Sequence, residues 1–342
     1  MKGKFFSKKF FTLVILLLLA FGFGAYFRES LRPTSSGVGE QTVEFWVKQG
    51  DDINQVAEVL KATGLVKSKI LFEFYGLLTG GAFLLQPGLH YISSAQSASE
   101  ILDKLSSKPS EVALTVFPGL TLKEVEERLV AIKVISKGEL ANFNPALFKK
   151  SYPFLAGAVS LEGFIMPDTY KFFAYSSVDG VVKKFLDNFQ AKTKDLKDSK
   201  GLTFLERKDI LEKLVVASLL EKEIPDIAER QIAAGILEKR LKNDIPLQVD
   251  ATIFYFKCEG KFLGCGNVVR KDYKKPSPFN TYLNKGLPPA PISNPGAEAI
   301  KAAVNPVYSN YWYYLSDPKT KRTIFSSTFD EHNENRYKYL KM

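Results

Sequence analysis

Residues Phe10 to Phe27 read FFTLVILLLLAFGFGAYF, eighteen positions without a charge. A run of this length approaches the roughly 20 apolar residues that cross a bilayer core. It is apolar all round and lies at the chain terminus, which argues for a membrane helix over a buried soluble one. Lys2, Lys4, Lys8 and Lys9 precede it, and Arg28, Glu29 and Arg32 follow. The flanking lysines predict a cytoplasmic tail over 1–9, a transmembrane anchor over 10–27 and a body outside the cytoplasm. The competing expectation is a cleaved signal peptide, with Gly22-Phe23-Gly24 as a small-x-small site. Either one sends the body across the membrane.

An exported body narrows the chemistry. Only two histidines, His90 and His332, and two cysteines occur in 342 residues. No spacing among them suits a metal centre, and no phosphate-cradling GxxxxGK[ST] or GxGxxG motif is present. The expectation is therefore an activity without metal or cofactor. The net charge of +10 suits a polyanionic partner, either nucleic acid, anionic lipid or an anionic cell wall. Export and the lack of an Arg/Lys stripe oppose nucleic acid. Cys258 and Cys265 flank the six residues EGKFLG. A small disulfide-closed loop and a pair of free thiols both remain open.

Residues 28–41 are rich in Pro, Ser and Gly and read as a linker. An internal repeat follows. Phe45 to Gly50 precedes Ile53, Val56 and Leu60; Leu114 to Gly119 precedes Leu122, Val125 and Leu129. In both copies apolar residues fall at the same three distances from the glycine, which predicts strand, turn and amphipathic helix. Asp51 and Thr121 are the expected caps. With helices over 69–78 and 99–105 and a strand over 90–92, residues 42–131 form an α+β module. The strand–Gly–helix unit resembles LysM-type modules, which bind N-acetylated glycans; a spacer role is the alternative. Residues 132–160 read as connecting helices. Helices are expected over 181–192, 205–223 and 227–241, and strands over 252–256, 312–315 and 323–325.

The segment KLVVASLL is apolar nearly all round, so 205–223 is a buried helix. Ile210, Leu214, Ala217 and Glu221 fall on one face, and Glu221 extends that apolar stripe by a turn. A carboxyl leaving an apolar wall loses hydration, which favours its protonated form, as a general acid requires. Glu223 lies about 200° round the helix and cannot share the pocket of Glu221. By spacing alone, a helix-end carboxylate held by water or an arginine remains the alternative for Glu221.

Ala217-Ser218-Leu219-Leu220-Glu221-Lys222-Glu223 resembles the central motif of the membrane-anchored endolytic murein transglycosylases, the YceG-like family. Leu161 to Phe164 with Pro167 to Tyr170, and Leu247-Gln248-x-Asp250, resemble further blocks of that family. So do Ser277 to Tyr282, Gly286 to Ile292, Asn294-Pro295-Gly296 and Glu331-His332. Departures are Ile224 where Thr is usual, Ala251 where Pro is usual, and Thr323-Ile324 where Gly-His usually precedes Phe325. The resemblance implies an α+β chain: anchor, LysM-like module over 42–131, and a mixed α/β catalytic domain over 132–342. The catalytic domain would be built round a buried helix carrying the catalytic glutamate.

The resemblance also implies non-hydrolytic cleavage of the β-1,4 bond between N-acetylmuramic acid and N-acetylglucosamine. One carboxyl, assigned to Glu221, protonates the glycosidic oxygen and then accepts the C6-hydroxyl proton, leaving a 1,6-anhydro end. Gln248, Asp250, Asn280, Tyr282, Asp168 and Tyr170 are the expected substrate contacts, with Glu162 a structural hub and His332 open between cleft and surface. Expected partners are peptidoglycan strands, the membrane and cell-wall synthases. A hydrolytic muramidase using Asp250 or Asp168, and a non-catalytic wall-binding scaffold, are the rivals.

Overall fold

The computed structural model describes residues 8–35 and 42–340. Most of the expected cytoplasmic tail (1–7) and the end of the expected linker (36–41) lie outside the described residues. Packing divides the chain into two units, Met1–Val112 with Phe173–Tyr175, and Ala113–Phe172 with Ser176–Met342. The boundary thus falls at 112, where the repeat predicted 131, and the second helix of the repeat packs within the second unit.

The first unit opens with α1 (Lys8–Ser30), whose apolar length is exposed and is long and apolar enough to cross a membrane. It continues three residues past Phe27, into the expected linker. Strand β1 (Thr42–Val47) pairs antiparallel with β2 (Gly88–Ser93), Val47 opposite Gly88. Helices α2 (Ile53–Ala62) and α3 (Lys69–Thr79) lie between them in sequence, and α4 (Ala98–Ser106) follows. Phe45 and Val47 face inward, as strand alternation requires, and meet Val56 and Leu60 of α2 and Ile101 and Leu105 of α4 in one core. Capping boxes start α2 (Asp52 with Gln55) and α4 (Ser97 with Glu100). The cap of α2 is therefore Asp52, one residue after the expected Asp51. Asp51 belongs to the preceding turn, where its carboxylate accepts the Lys48 amide at 2.8 Å.

The second copy of the repeat is β3 (Glu111–Val116) and α5 (Leu122–Ala131), capped by Thr121 and Glu124 as its sequence predicts. The copies share form but not partners, since β3 pairs with β4 (Asp168–Phe173). Between α5 and β4, where connecting helices were expected, there are only single turns at Pro145–Phe148 and Pro153–Leu155. Each begins on a proline, which suits a first turn, and neither is continued.

Helix α6 (Val178–Thr193) packs Phe185 on Tyr170 of β4 and Phe189 on Phe154 and Phe164. The buried helix is α7 (Ile210–Glu223), with every residue from Leu214 to Leu220 buried. It starts five residues later than expected. Arg207 is extended there and bridges Asp198 at 2.6 Å and Asp209 at 2.8 Å, leaving 204–206 as a separate turn. Around α7 pack α8 (Ile227–Lys242), α9 (Asp250–Lys257) and α10 (Ala297–Val304). A Cβ at Gly235 of α8 would lie 2.1 Å from the Val307 carbonyl oxygen, so only glycine permits this approach. Residues 252–256, expected as a strand, are helical in α9. Ala251, Thr252 and Ile253 are buried there, so packing overrides propensity. Strands β5 (Tyr313–Ser316) and β6 (Thr323–Ser326) lie where two strands were expected and pair antiparallel, and α11 (Phe329–Asn335) follows them. Cys258, at the end of α9, is disulfide-bonded to Cys265.

Candidate active site

The last turn of α7 carries Glu221, Lys222 and Glu223 into three different surroundings. Glu221 turns toward α8 and α10. Its Oε1 accepts Arg230 Nη2 at 2.9 Å and its Oε2 accepts the Gly296 amide at 2.9 Å. The two side chains of this ion pair are only 10% and 7% exposed. Arg230 also donates through Nε to the carbonyl of Ile224, the residue that ends α7. This carboxylate is thus held on both oxygens, a poor arrangement for a group that must hand over a proton. Lys222 lies over the Phe262 ring at 3.6 Å and donates to Gly119 O; burial lowers its pKa.

Glu223 turns the other way, as the helical period requires. Its Oε1 accepts one bond, 2.9 Å from the Ala251 amide at the start of α9. Burial pushes its pKa up to about 7, and the negative charge of neighbouring Asp250 adds to the rise; the Ala251 amide opposes it. Glu223 is therefore poised between acid and base near neutrality. Of the two carboxyls, Glu223 is thus the better placed for the acid–base role expected of Glu221. The sequence argument extended an apolar stripe, but α8 and α10 close that face with a guanidinium and a backbone N–H.

Around Glu223 the structure gathers Asp250, Tyr282, Tyr273 and Tyr314. Tyr282 OH donates to Asp250 Oδ1, and the Tyr273 ring lies 4.8 Å from that of Tyr282. Burial raises all three phenols, Tyr273 to about 12, and the charges of Glu223 and Asp250 add to this. Gln248 and Asp250 are exposed and form the rim. Gln248 has a φ of 56°, a strained conformation for a side-chain-bearing residue. Buried Arg240 supports this bend by donating to the carbonyls of Pro246 and Leu247. Arg240 also lies over Tyr313 at 4.9 Å, and His332 stacks on the same ring. The Nδ1 of His332 is buried without a hydrogen-bond partner, and burial lowers its pKa.

Three of the other expected contacts are engaged within the fold. Asn280 is fully buried; its amide donates to the carbonyls of Tyr273 and Lys275 and accepts the Tyr282 amide. It shapes the loop that carries both tyrosines and has no atom left for a ligand. Tyr170 is buried between β4 and α6, with its OH bonded to Met166 O and Asn188. Asp168 pairs with Lys192 at 2.9 Å and with Asn188, which hold its carboxyl below the usual range. Neither has a partner in the Glu223 cluster among the described residues. Glu162 is the hub its motif predicts. It accepts the Leu122 amide at the start of α5, Asn294 Nδ2 and Tyr255 OH, and burial raises it to about 8.

Glu223, Arg240, Tyr273 and Tyr314 join this cluster without having been expected there. Only Glu223 had a signal, being the second acid of the Glu-Lys-Glu motif.

One carboxyl of raised proton affinity, a second carboxylate at the rim and a wall of tyrosines are groups that general acid–base chemistry on a polar, ring-bearing substrate can use. The chain matches the YceG-like family over residues 45–338 and belongs to it. It is 28% identical to the endolytic murein transglycosylase of Bacillus subtilis, over 92% of this chain and 89% of that one. It is 26% identical to the protein of the same name from Streptococcus pneumoniae, over 94% of this chain and 63% of the longer relative. A solved YceG-like protein from Listeria monocytogenes superposes with a TM-score of 0.55 at 26% identity, covering 87% of this chain and all of that one.

Proposed function

We propose that this chain is an endolytic transglycosylase that cuts peptidoglycan strands between N-acetylmuramic acid and N-acetylglucosamine, with Glu223 as its single acid–base group. The observation that carries the reading is the half-buried Glu223 carboxyl, raised to about 7 beside Asp250, in a chain whose relatives bear that name. Protonated Glu223 donates to the glycosidic oxygen as the bond to C1 breaks. The resulting carboxylate then takes the proton of the muramyl C6 hydroxyl, which closes on C1 as a 1,6-anhydro ring. No water enters and no second base is needed. Burial, with the charge of Asp250 adding to it, favours the protonated form of Glu223 toward pH 7, and Asp250, with fixed dipoles, faces the developing positive charge. Tyr273 and Tyr282 offer ring faces to sugars, and exposed Gln248 offers donors and acceptors to an N-acetyl group.

Helix α1 is read as an uncleaved anchor, its lysine-flanked end inside and the site outside, next to newly made wall and its synthases. The hydrolytic rival is favoured by one feature, the carboxylate of Asp250 close to Glu223, which is able to activate a water. Digestion of sacculi by the full chain, with mass analysis of the sugar ends, separates the readings. Anhydro ends support transglycosylation, reducing ends support hydrolysis, and binding without release removes both.

A further inference from the structure

The first unit carries an apolar face that its own fold leaves uncovered. Helix α3 buries Leu71, Phe72 and Gly76 on one side. On the other side stand Ile70, Phe74, Leu77 and Leu78, spaced as one helical face, and Phe83 continues it in the turn Gly81–Phe83. Leu78 is 68% and Phe83 81% exposed. An ordinary surface helix would be polar here. Instead, no charged residue occurs from Phe74 to Leu89. Contiguous apolar surface of this kind marks a site of contact with protein or membrane.

Three contacts place this face beside α1. The ring of Phe27, last residue of the apolar run, meets Phe74 edge-on at 5.7 Å and Tyr75 at 6.5 Å. Lys67 Nζ, at the turn before α3, binds the Glu29 carboxylate at 2.9 Å and the Glu29 carbonyl at 3.1 Å. Leu31 packs on the core of the unit. The end of the apolar helix and the start of the α3 face are thus tied together, so a bilayer that ends at Phe27 meets Phe74.

We propose that the apolar face of α3 and its following turn lies in the surface of the bilayer that α1 crosses, so that the unit is moored at two places. The inference rests on the reading of α1 as a retained anchor. Lipid fits this face better than a protein does. Protein interfaces carry about one hydrogen bond per 100–200 Å², and these five side chains have no donor or acceptor. An apolar helix face with lysines at one end, here Lys67 and Lys69, is a form that interfacial segments take. Mooring of this kind would hold the unit at a set height and tilt against the membrane.

The test uses the full chain in protein-free vesicles of phosphatidylethanolamine and phosphatidylglycerol. Single variants Leu78→Cys, Phe83→Cys, Leu17→Cys in α1 and Asp103→Cys on the exposed side of α4 carry an environment-sensitive fluorophore. Quenchers sit on lipid chains, either near the headgroup or near the chain end. Shallow quenchers should reduce the signal at 78 and 83 severalfold more than at 103, and deep quenchers should act on 17. Quenching at 17 with none at 78 and 83 overturns the mooring and leaves the anchor standing; it is also the result expected if the face docks a protein. No quenching at 17 overturns the anchor reading, and the mooring with it.

Discussion

The two sides of the last turn of α7 differ in almost everything except their residue type. On one side Glu221 is closed in by α8 and α10, with both oxygens engaged by Arg230 and Gly296. On the other, Glu223 accepts a single backbone bond and faces a rim open at Gln248 and Asp250. Both carboxyls leave the same apolar helix. One is neutralised by a cation and does the work of a tie between three elements. The other faces an anion, and burial and that charge raise its affinity for a proton. Desolvation alone does not make an acid catalyst; what stands opposite the carboxyl decides.

The sharpest way to break this comparison is Glu223→Gln. The amide keeps the shape and cannot carry the proton, so release of anhydro ends should fall about 10²–10⁴-fold. The folded structure should persist, and at pH 8 the variant should melt no lower than the parent. The sign follows from linkage. The folded carboxyl binds its proton up to about pH 7 and the unfolded one only to about 4.5. Its contribution to stability is present below pH 4.5 and is lost as pH rises through 7. Product at the parent rate would remove Glu223 from the mechanism.

Glu221→Gln should fail in the opposite way. It leaves Arg230 buried without its anion, a change that costs about 3–5 kcal/mol when one partner of a buried pair is removed. Urea unfolding should show that loss, and the protein that remains folded should still cleave sacculi. A variant as stable as the parent but inactive would exchange the roles of the two glutamates.

Asp250→Asn sharpens the electrostatic half of the comparison. Activity that needs protonated Glu223 declines as pH rises through about 7. Removing the anion that helps to raise Glu223 should move this decline to lower pH and cut the rate severalfold at pH 7. A limb that stays in place would show that burial alone sets the proton affinity. The smallest effects are expected outside the cluster. Asp168→Asn loses a half-exposed ion pair worth about 0–1 kcal/mol. Tyr170→Phe leaves Met166 O and Asn188 without their partner at about 1–3 kcal/mol. Neither should lower the rate of cleavage more than about threefold; a much larger loss would place β4 in the cleft.

Local order was open to inspection in the chain. The strand–turn–helix repeat, the Thr121 cap, the two strands near 313 and 323 and the apolar N-terminal helix follow from periodicity and turn chemistry over ten to twenty residues. So does the angular separation of Glu221 from Glu223. Where the structure departs from what the residues suggest, backbone or packing partners have claimed the side chain. Asn280 and Tyr170 have side chains suited to sugars, but both are consumed in their own loops and sheet–helix packing. The aromatic segment 252–256 has strand propensity, yet burial against α7 makes it helical.

The sequence by itself determined that this protein carries an apolar helix able to cross a membrane, an α+β body, and a buried helix ending in two acids that point apart. It also determined the family, because short blocks far apart in the chain match together. What each acid meets is set by the tertiary structure alone. The partners that choose between them come from residues 230, 250 and 296, on three other elements. Proton affinity depends on the charges and dipoles within a few ångströms in space, and helical spacing fixes a side chain's direction but not what it meets there.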